Sequence, residues 1–480
     1  MSEVEKAPVS CWTCRRRRVK CDRLLPACQK CSKAAHTCQG YTEKPLRWVN
    51  SVASRGKLMG KTIPSIPQSE SIARILVDPV FQDLSPAKRG YISYFDQHCS
   101  SESTLFQSMP TNPFKEFMRL IPASGGLLYT IISVAALHKA QRHVSLDLET
   151  SVPSTELSLS TSLPSPEFYD ALANKQQALY HLRKEFQDPN VSNHDGAIAS
   201  ILMFVWLELM DSGRDSWKYH LTALRRIVQA TLVPTMDNTG GFTSTFWSSC
   251  EYFEMIFAIY EILGSTFVKP SQPYQPLFTT MSIMDILKLC EHQTWVGCPA
   301  ELLYLISVVN TIPENDEQSL CLKSYCAGQL QSFSPHRWSI ADTKVPRMIE
   351  RYHFACVYKE AIAIYVSQVT ARWTEEPFSK LYTMDSLDST IQHMRSISTD
   401  DPFFKALVWP AFVIGAEARS EGQRKAVLSV TGDLWTAWRA GNVRNAVHVL
   451  KQIWARGDRE GWATPWIEYL YEWGEDWMFV

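Results

Sequence analysis

From residue 89 onward, apolar side chains return with the period of an α-helix and keep it through most of the chain. Trp217, Leu221, Leu224 and Val228 stand at i, i+4, i+7 and i+11, and Phe354, Tyr358, Ala361 and Tyr365 repeat that spacing, as do Val443, Val447, Leu450 and Trp454. Each set falls on one side of a 3.6-residue helix, so each predicts an amphipathic element with its stripe in a core. Ile198, Leu202, Val205 and Leu209 predict another, and 127–138 is apolar almost all round, as a helix enclosed by others would be. Period-two alternation bounded by Asn-Gly or Asp-Gly turns is absent, so strands are not expected. The expected fold is a large all-α domain of a dozen or more layered helices.

Two stretches interrupt this pattern. Residues 145–166 are rich in Ser, Thr and Pro and read as a flexible insertion carrying one Ser165-Pro166 step. Residues 310–345 mix Pro313, acids and two cysteines, around one short helix expected at 320–330. At the end of the chain, Trp466, Leu470, Trp473 and Trp477 keep helical spacing with Glu468, Glu472, Glu475 and Asp476 between them. That segment reads as a last helix closing the core, in preference to an acidic-hydrophobic activation segment.

Before residue 89 the helical period is missing. Between Gly40 and Gly90 stand Pro45, Pro64, Pro67, Pro79 and Pro86 with Gly56 and Gly60, which interrupt any long helix. No heptad pattern persists there for three repeats, so this stretch predicts no coiled coil and no obligate dimer through it, while a homodimer through the large domain stays open. Its basic residues, Lys44, Arg47, Arg55, Lys57 and Lys61, suit phosphate contacts or a bipartite nuclear import signal.

Charge sharpens the division. The 480 residues carry a net charge of −1, yet residues 1–61 hold 14 Lys or Arg against 4 Asp or Glu, net +10, which leaves −11 for the rest. Only the N-terminal part is built to meet a polyanion. The 45% apolar and 11% aromatic composition supplies ample core for the remainder.

Within the basic part, cysteines stand at 11, 14, 21, 28, 31 and 38, which is C-x2-C-x6-C written twice with each position repeated 17 residues later. Structural zinc takes four thiolate or imidazole ligands in a tetrahedron, and a C-x2-C turn supplies two. One ion would use Cys11, Cys14, Cys28 and Cys31 and leave Cys21 and Cys38 idle. Two ions require two shared thiolates, and the repeat makes Cys11 and Cys28 the equivalent pair. A thioredoxin-like redox motif does not fit six such cysteines, and the start Met-Ser-Glu-Val-Glu-Lys lacks the apolar segment of a secreted disulfide scaffold.

This stretch resembles the Zn2Cys6 binuclear cluster of fungal transcription factors at all six cysteines, in the basic run from Arg15 to Lys20, and in Pro26 between the halves. The resemblance implies two zinc ions per chain, with the first and fourth cysteines bridging, and a short helix opened by each C-x2-C turn. The first helix, carrying Arg15, Arg16, Arg17 and Arg18 with Lys20 beyond, would enter the major groove of double-stranded DNA, where arginine grips guanine O6 and N7. Arg17 and Arg18 match the family positions that contact bases, in a CGG-like triplet. Arg15 and Arg16 sit too near Cys14 to reach them, and Lys20 meets phosphate.

Residues 90–480 resemble the fungal-specific transcription factor domain in Asn112-Pro113-Phe114, in Trp217-Lys218-Tyr219-His220-Leu221, in the run from Gly297 to Leu303, and in Trp409-Pro410-Ala411-Phe412. The expected organisation is therefore a DNA-binding cluster over 1–43, a basic linker over 44–90 and an all-α regulatory domain over 91–480. Gly40-Tyr41 after the arginine-rich cluster is similar to regulators of secondary metabolism or drug response. The implied partners are DNA and the transcription machinery or coregulators, in the nucleus.

The large domain carries no H-E-x-x-H, G-x-x-x-x-G-K-[ST], G-x-G-x-x-G or G-x-S-x-G, so no enzyme is expected. No apolar run reaches the length of a membrane span. The seven remaining cysteines lack ligand spacing and read as buried free thiols. The alternative function is a zinc-containing helical adaptor whose basic head makes nonspecific nucleic-acid or import contacts.

Overall fold

The computed structural model describes residues 6–42, 79–102, 105, 112–146, 148, 165–187, 195–232, 244–269, 274–277, 281–311, 316–341, 347–371 and 381–480. It divides into two compact units, Met1–Val77 and Asp78–Val480. Most of the expected linker and of the Ser/Thr/Pro insertion lies outside the described residues.

In the first unit, Cys11 and Cys28 each sit in extended backbone and cap a short helix, α1 (Trp12–Arg17) and α2 (Gln29–Lys33). After a 3-10 turn at Pro79–Phe81, the second unit starts its α-helices at Pro86, inside the stretch read as linker: α3 (Pro86–Tyr94), α4 (Pro113–Leu120), α5 (Gly125–Gln141), α6 (Pro166–Gln187), α7 (Asp195–Asp211), α8 (Trp217–Leu232) and α9 (Ser244–Gly264). After them come α10 (Ile283–Gln293), α11 (Ala300–Val309), α12 (Asp316–Ser332), α13 (Pro335–Ala341), α14 (Met348–Thr370), α15 (Met384–Arg395), α16 (Val408–Ala416), α17 (Glu421–Trp438), α18 (Gly441–Glu460) and α19 (Trp466–Trp473). No strand forms among the described residues, only two isolated bridges.

Local sequence explains the helix starts. Asn112 caps α4, its Oδ1 accepting from Phe114 N at 2.9 Å, with Pro113 at the first helical position, where a missing N–H costs nothing. Thr383–Ser386 and Ser420–Gln423 form capping boxes that open α15 and α17.

The predicted stripes are the core. Trp217, Leu221, Leu224 and Val228, the set from Phe354 to Tyr365, and Val443, Val447, Leu450 and Trp454 are all buried. α5 is enclosed by α3, α6 and α7, and α7 is buried from Asp195 to Met210. A second group forms around α14, which packs on α11, α12, α13, α15 and α16. α18 joins the groups. It packs on α7, α16 and α17, and Trp454 Nε1 donates to the Gly415 carbonyl at 2.8 Å.

Three expectations need correction. The C-terminal stripe is not one helix: Gly474, left-handed at φ 71°, ends α19. Trp477 lies beyond it, in a segment where Met478 N donates to Gly213 O at 2.8 Å and Asp215 N to Asp476 O at 2.9 Å. Trp477, Met478 and Phe479 are buried there, so this end belongs to the core by a return path the helical period could not show. The region 310–345 holds two helices, α12 and α13, instead of one short one. α12 buries Cys326 and Leu330 while exposing Leu320 and Tyr325, and apolar residues on both sides blur its stripe. Finally, Cys321 is exposed and Cys356 half-buried, whereas Cys99, Cys290, Cys298 and Cys326 are buried. The side chain of Cys250 lies outside the described residues. No helix among the described residues is long and apolar enough to cross a membrane.

Candidate metal centre and DNA-facing surface

The six N-terminal thiols converge. The sulfurs of Cys11, Cys14, Cys21 and Cys28 lie within 4.8 Å of one another, and so do those of Cys11, Cys28, Cys31 and Cys38. Cys11 and Cys28 belong to both groups. The Cys11–Cys28 and Cys14–Cys28 sulfurs are 3.6 Å apart and the Cys11–Cys31 sulfurs 3.7 Å, too far for disulfides. A tetrahedron with Zn–S bonds of about 2.3 Å sets its sulfurs about 3.8 Å apart, so the donor set fits two zinc ions sharing Cys11 and Cys28.

The 17-residue repeat continues into the backbone. Arg15 N donates to Cys11 O and Ser32 N to Cys28 O; Val19 N donates to Cys14 O and His36 N to Cys31 O. Arg18 and Ala35, 17 apart, both take left-handed φ, 55° and 52°, and close each helix with a six-to-one bond. Arg23 and Gly40, again 17 apart, are left-handed too, at 61° and 73°.

Backbone N–H groups are aimed at sulfur. Cys14 N donates to Cys11 Sγ at 3.4 Å, Cys31 N to Cys28 Sγ at 3.3 Å, and Cys11 N and Arg23 N to Cys21 Sγ at 3.5 and 3.4 Å. Such donors hold ligands in place around a metal and stabilise thiolate. Burial pushes the Cys11 thiol up to about 12 and raises Cys14 and Cys28 as well. Burial also acts on Cys21 and Cys38, but the N–H groups of Cys11 and Arg23, and of Cys28 and Gly40, bring these two below the usual thiol value. A coordinated dication would remove the remaining protons outright.

Residues the cysteine spacing did not point to join the halves. Asp22 accepts from Gln29 N at 3.2 Å and Lys30 N at 3.0 Å, placing a carboxylate at the start of α2. Thr13 Oγ1 donates to Thr37 O at 2.9 Å and accepts from Gln39 N at 3.0 Å. Tyr41 donates to Leu24 O at 2.6 Å across the peptide segment that holds the cis bond Leu25-Pro26. An acid beside the third cysteine was the only sequence signal for Asp22, and it becomes meaningful only when residue 29 is seen to start a helix.

Arg15, Arg16, Arg17, Arg18 and Lys20 are all exposed, on α1 and the turn after it. They are not equivalent. The Arg15 guanidinium stacks 4.7 Å from the Trp12 ring, whose Nε1 donates to Thr42 O at 2.6 Å. Arg16 and Arg17 end α1, and Arg18 stands one residue past it, in the left-handed cap.

Residues 90–479 match the model of the fungal specific transcription factor domain, and residues 9–47 that of the fungal Zn(2)-Cys(6) binuclear cluster domain. Such a cluster domain binds two zinc ions. Among curated proteins the chain is similar to the acriflavine sensitivity control protein acr-2 of Neurospora crassa, 23% identical over 80% of this chain and 65% of that one, so less than two thirds of that relative is spanned. It is similar to the phomenoic acid biosynthesis cluster-specific transcriptional regulator of Leptosphaeria maculans, 21% identical over 93% of this chain and 86% of that protein. Over 43 residues, 9% of this chain and 5% of the other, it is 54% identical to the arginine metabolism regulation protein II of Saccharomyces cerevisiae. No solved structure matches.

Proposed function

The chain belongs to the fungal specific transcription factors that carry an N-terminal Zn(2)-Cys(6) cluster, which are regulators and not enzymes, and on that premise we propose that it reads GC-rich, CGG-like DNA sites through α1 in the major groove. The observation that carries this reading is the exposed arginine run held between Cys14 and Cys21, two members of the first of the two overlapping thiol quartets. Zinc, when bound, fixes the angle between the two short helices and supplies no further chemistry.

In this reading Cys11, Cys14, Cys21 and Cys28 hold one ion, and Cys28, Cys31, Cys38 and Cys11 the other. Arg17 and Arg18 contact bases, Arg15 braces the helix through Trp12, and Arg16 and Lys20 meet phosphates. Residues 1–43 are the reading head, 44–90 a basic tether, and 91–480 a regulatory body that meets coregulators in the nucleus. Names such as acriflavine sensitivity control and phomenoic acid cluster regulation, borne by relatives, support a drug-response or secondary-metabolite pathway.

Selection of oligonucleotides from a random pool by the full zinc-loaded chain tests this. Enrichment of a CGG-containing motif is expected. A pool returned without sequence preference would favour the adaptor reading.

A further inference from the structure

His353 and His393 stand 40 residues apart, in no motif, and the fold brings them together. Two ties join α14 to α15: His353 meets His393, and Glu360 accepts from Ser386 Oγ. The ties lie two turns apart on each helix and in opposite sense, so the helices run antiparallel. Around them Phe354, Val357 and Ala361 of α14 and Leu387, Ile391 and Met394 of α15 are buried. The backbones that carry the two histidines are therefore fixed by packing on both sides.

The imidazoles meet nitrogen to nitrogen. Their Nδ1 atoms are 2.7 Å apart, with ring centroids at 4.9 Å and planes tilted by 43°. One Nδ1 must donate and the other accept, so two lone-pair positions converge on one point and share one proton. Among the described residues no carboxylate stands within ion-pair distance of either ring, and no third His, Cys, Asp or Glu donor joins the pair within 4.8 Å. Both rings are half-buried, and the exposed Tyr352 ring meets them edge-on at 5.6 and 5.9 Å, so solvent reaches this end of the helix pair.

Imidazole nitrogen is the commonest protein ligand of borderline divalent metals. An ion bound to two nitrogens at about 2.0–2.1 Å sets them about 2.9 Å apart when its ligands stand at right angles, and about 3.3 Å apart in a tetrahedron. From 2.7 Å the first arrangement needs an opening of about 0.2 Å and the second about 0.6 Å, and between two packed helices the smaller opening wins. We propose that His353 and His393 form a second kind of metal site, on the helical unit, for a divalent ion with right-angled ligands such as Cu2+ or Ni2+. Water fills its remaining positions. As the ion binds, the Nδ1 proton of the donor ring passes to that ring's Nε2, which leaves both imidazoles neutral and both Nδ1 lone pairs on the metal. The ion staples α14 to α15.

Equilibrium dialysis of the full, tag-free, zinc-loaded chain against a micromolar series of Ni2+ tests this, with nickel and zinc counted apart by elemental analysis and no DNA present. Ni2+ is the probe because Cu2+ would oxidise the exposed Cys321 thiol. One Ni2+ per chain is expected beyond the zinc, with a thermal midpoint of the helical unit that rises with Ni2+ because the ion binds the folded chain. His353→Gln and His393→Gln should each weaken that binding about tenfold or more, with helical circular dichroism unchanged. Further Zn2+, which prefers a tetrahedron, should be held less tightly than Ni2+. A measurement free of substitutions runs beside these: Ni2+ should shield His353 and His393 of the wild type from diethyl pyrocarbonate, read by peptide mass spectrometry. No bound nickel, nickel retained in full by both variants, Zn2+ held as tightly as Ni2+, or equal modification of the two histidines with and without Ni2+ would each overturn the proposal.

Discussion

Arg23 and Gly40 hold equivalent places in the two halves of the cluster unit: both are left-handed, and each turns its N–H toward the sulfur of the cysteine two residues earlier. Nothing lies within 4 Å of a Cβ added at Gly40, so Gly40→Ala isolates the backbone strain. It should cost about 1 kcal/mol, and Arg23→Gly should relieve a similar amount. Because zinc binding and folding of so small a unit are one equilibrium, a chelator competition reads the difference. Identical competition curves for Gly40→Ala and the parent would refute the equivalence.

Metal content follows from the two overlapping quartets. Purified chain should carry two zinc ions, Cys11→Ala or Cys28→Ala should lose both, and Cys21→Ala mainly one. Chelation should abolish DNA binding while the circular dichroism of the helical unit, which has its own core, persists. One zinc per chain by elemental analysis would contradict the shared-ligand arrangement.

The arginines should separate by role in binding measured at one fixed salt concentration. Arg18→Ala should cost roughly 1–3 kcal/mol on the preferred site and relax the base preference, while Lys20→Ala weakens all sequences alike and lowers the salt slope by about 1. Arg15→Ala should act chiefly on the stability of the zinc-loaded unit, since its guanidinium rests on Trp12. Equal losses on specific and random DNA for Arg18→Ala would remove the base-reading assignment.

Two glycines of the helical unit should respond in opposite directions. A Cβ at Gly441 would stand 2.0 Å from the Asp211 carbonyl oxygen, backbone against backbone, so Gly441→Ala should cost about 3 kcal/mol. At Gly422, in the exposed first turn of α17, an added Cβ meets only Ser420 Oγ at 3.9 Å, and Gly422→Ala should gain about 0.5–1 kcal/mol. Thermal midpoints of the two variants decide it.

His138 makes the helical unit acid-sensitive. Burial, helped by Arg142 and Lys405, lowers its pKa from 6.5 to about 4, and its Nδ1 pairs with the Tyr94 hydroxyl at 2.8 Å. Because the folded state binds the proton more weakly than the unfolded chain, the stabilisation is complete above pH 6.5 and lost as the pH falls toward 4, about 3 kcal/mol across the window. His138→Gln should flatten that limb of the stability profile. A profile unchanged by the substitution would show that other groups govern it.

Much of this molecule is legible in its sequence because two strict periods run through it. The 3.6-residue period located the stripes of α7, α8, α14 and α18, and the 17-residue repeat located six thiols and singled out Cys11 and Cys28. What stayed hidden depends on contacts between distant residues. Gly474 is a local stop signal, but the stripe running on through Trp477 masks it, and the Gly213 carbonyl that receives Met478 is visible only in three dimensions. Asp22 works through a helix start seven residues on, where it accepts from Gln29 N and Lys30 N.

The pairing of the segment around Asp476 with Asp215 spans 261 residues of sequence. A ribosome adding 5–20 residues per second needs roughly 13–50 s to make that stretch, during which the neighbourhood of α7 and α8 waits, unfinished, for its last layer. The six thiols of the cluster, by contrast, stand within 28 consecutive residues, all ahead of the helical unit. During each round of translation the cationic, thiol-rich unit is therefore made before the helical unit has its last layer, and a chain stopped early carries the first without the second.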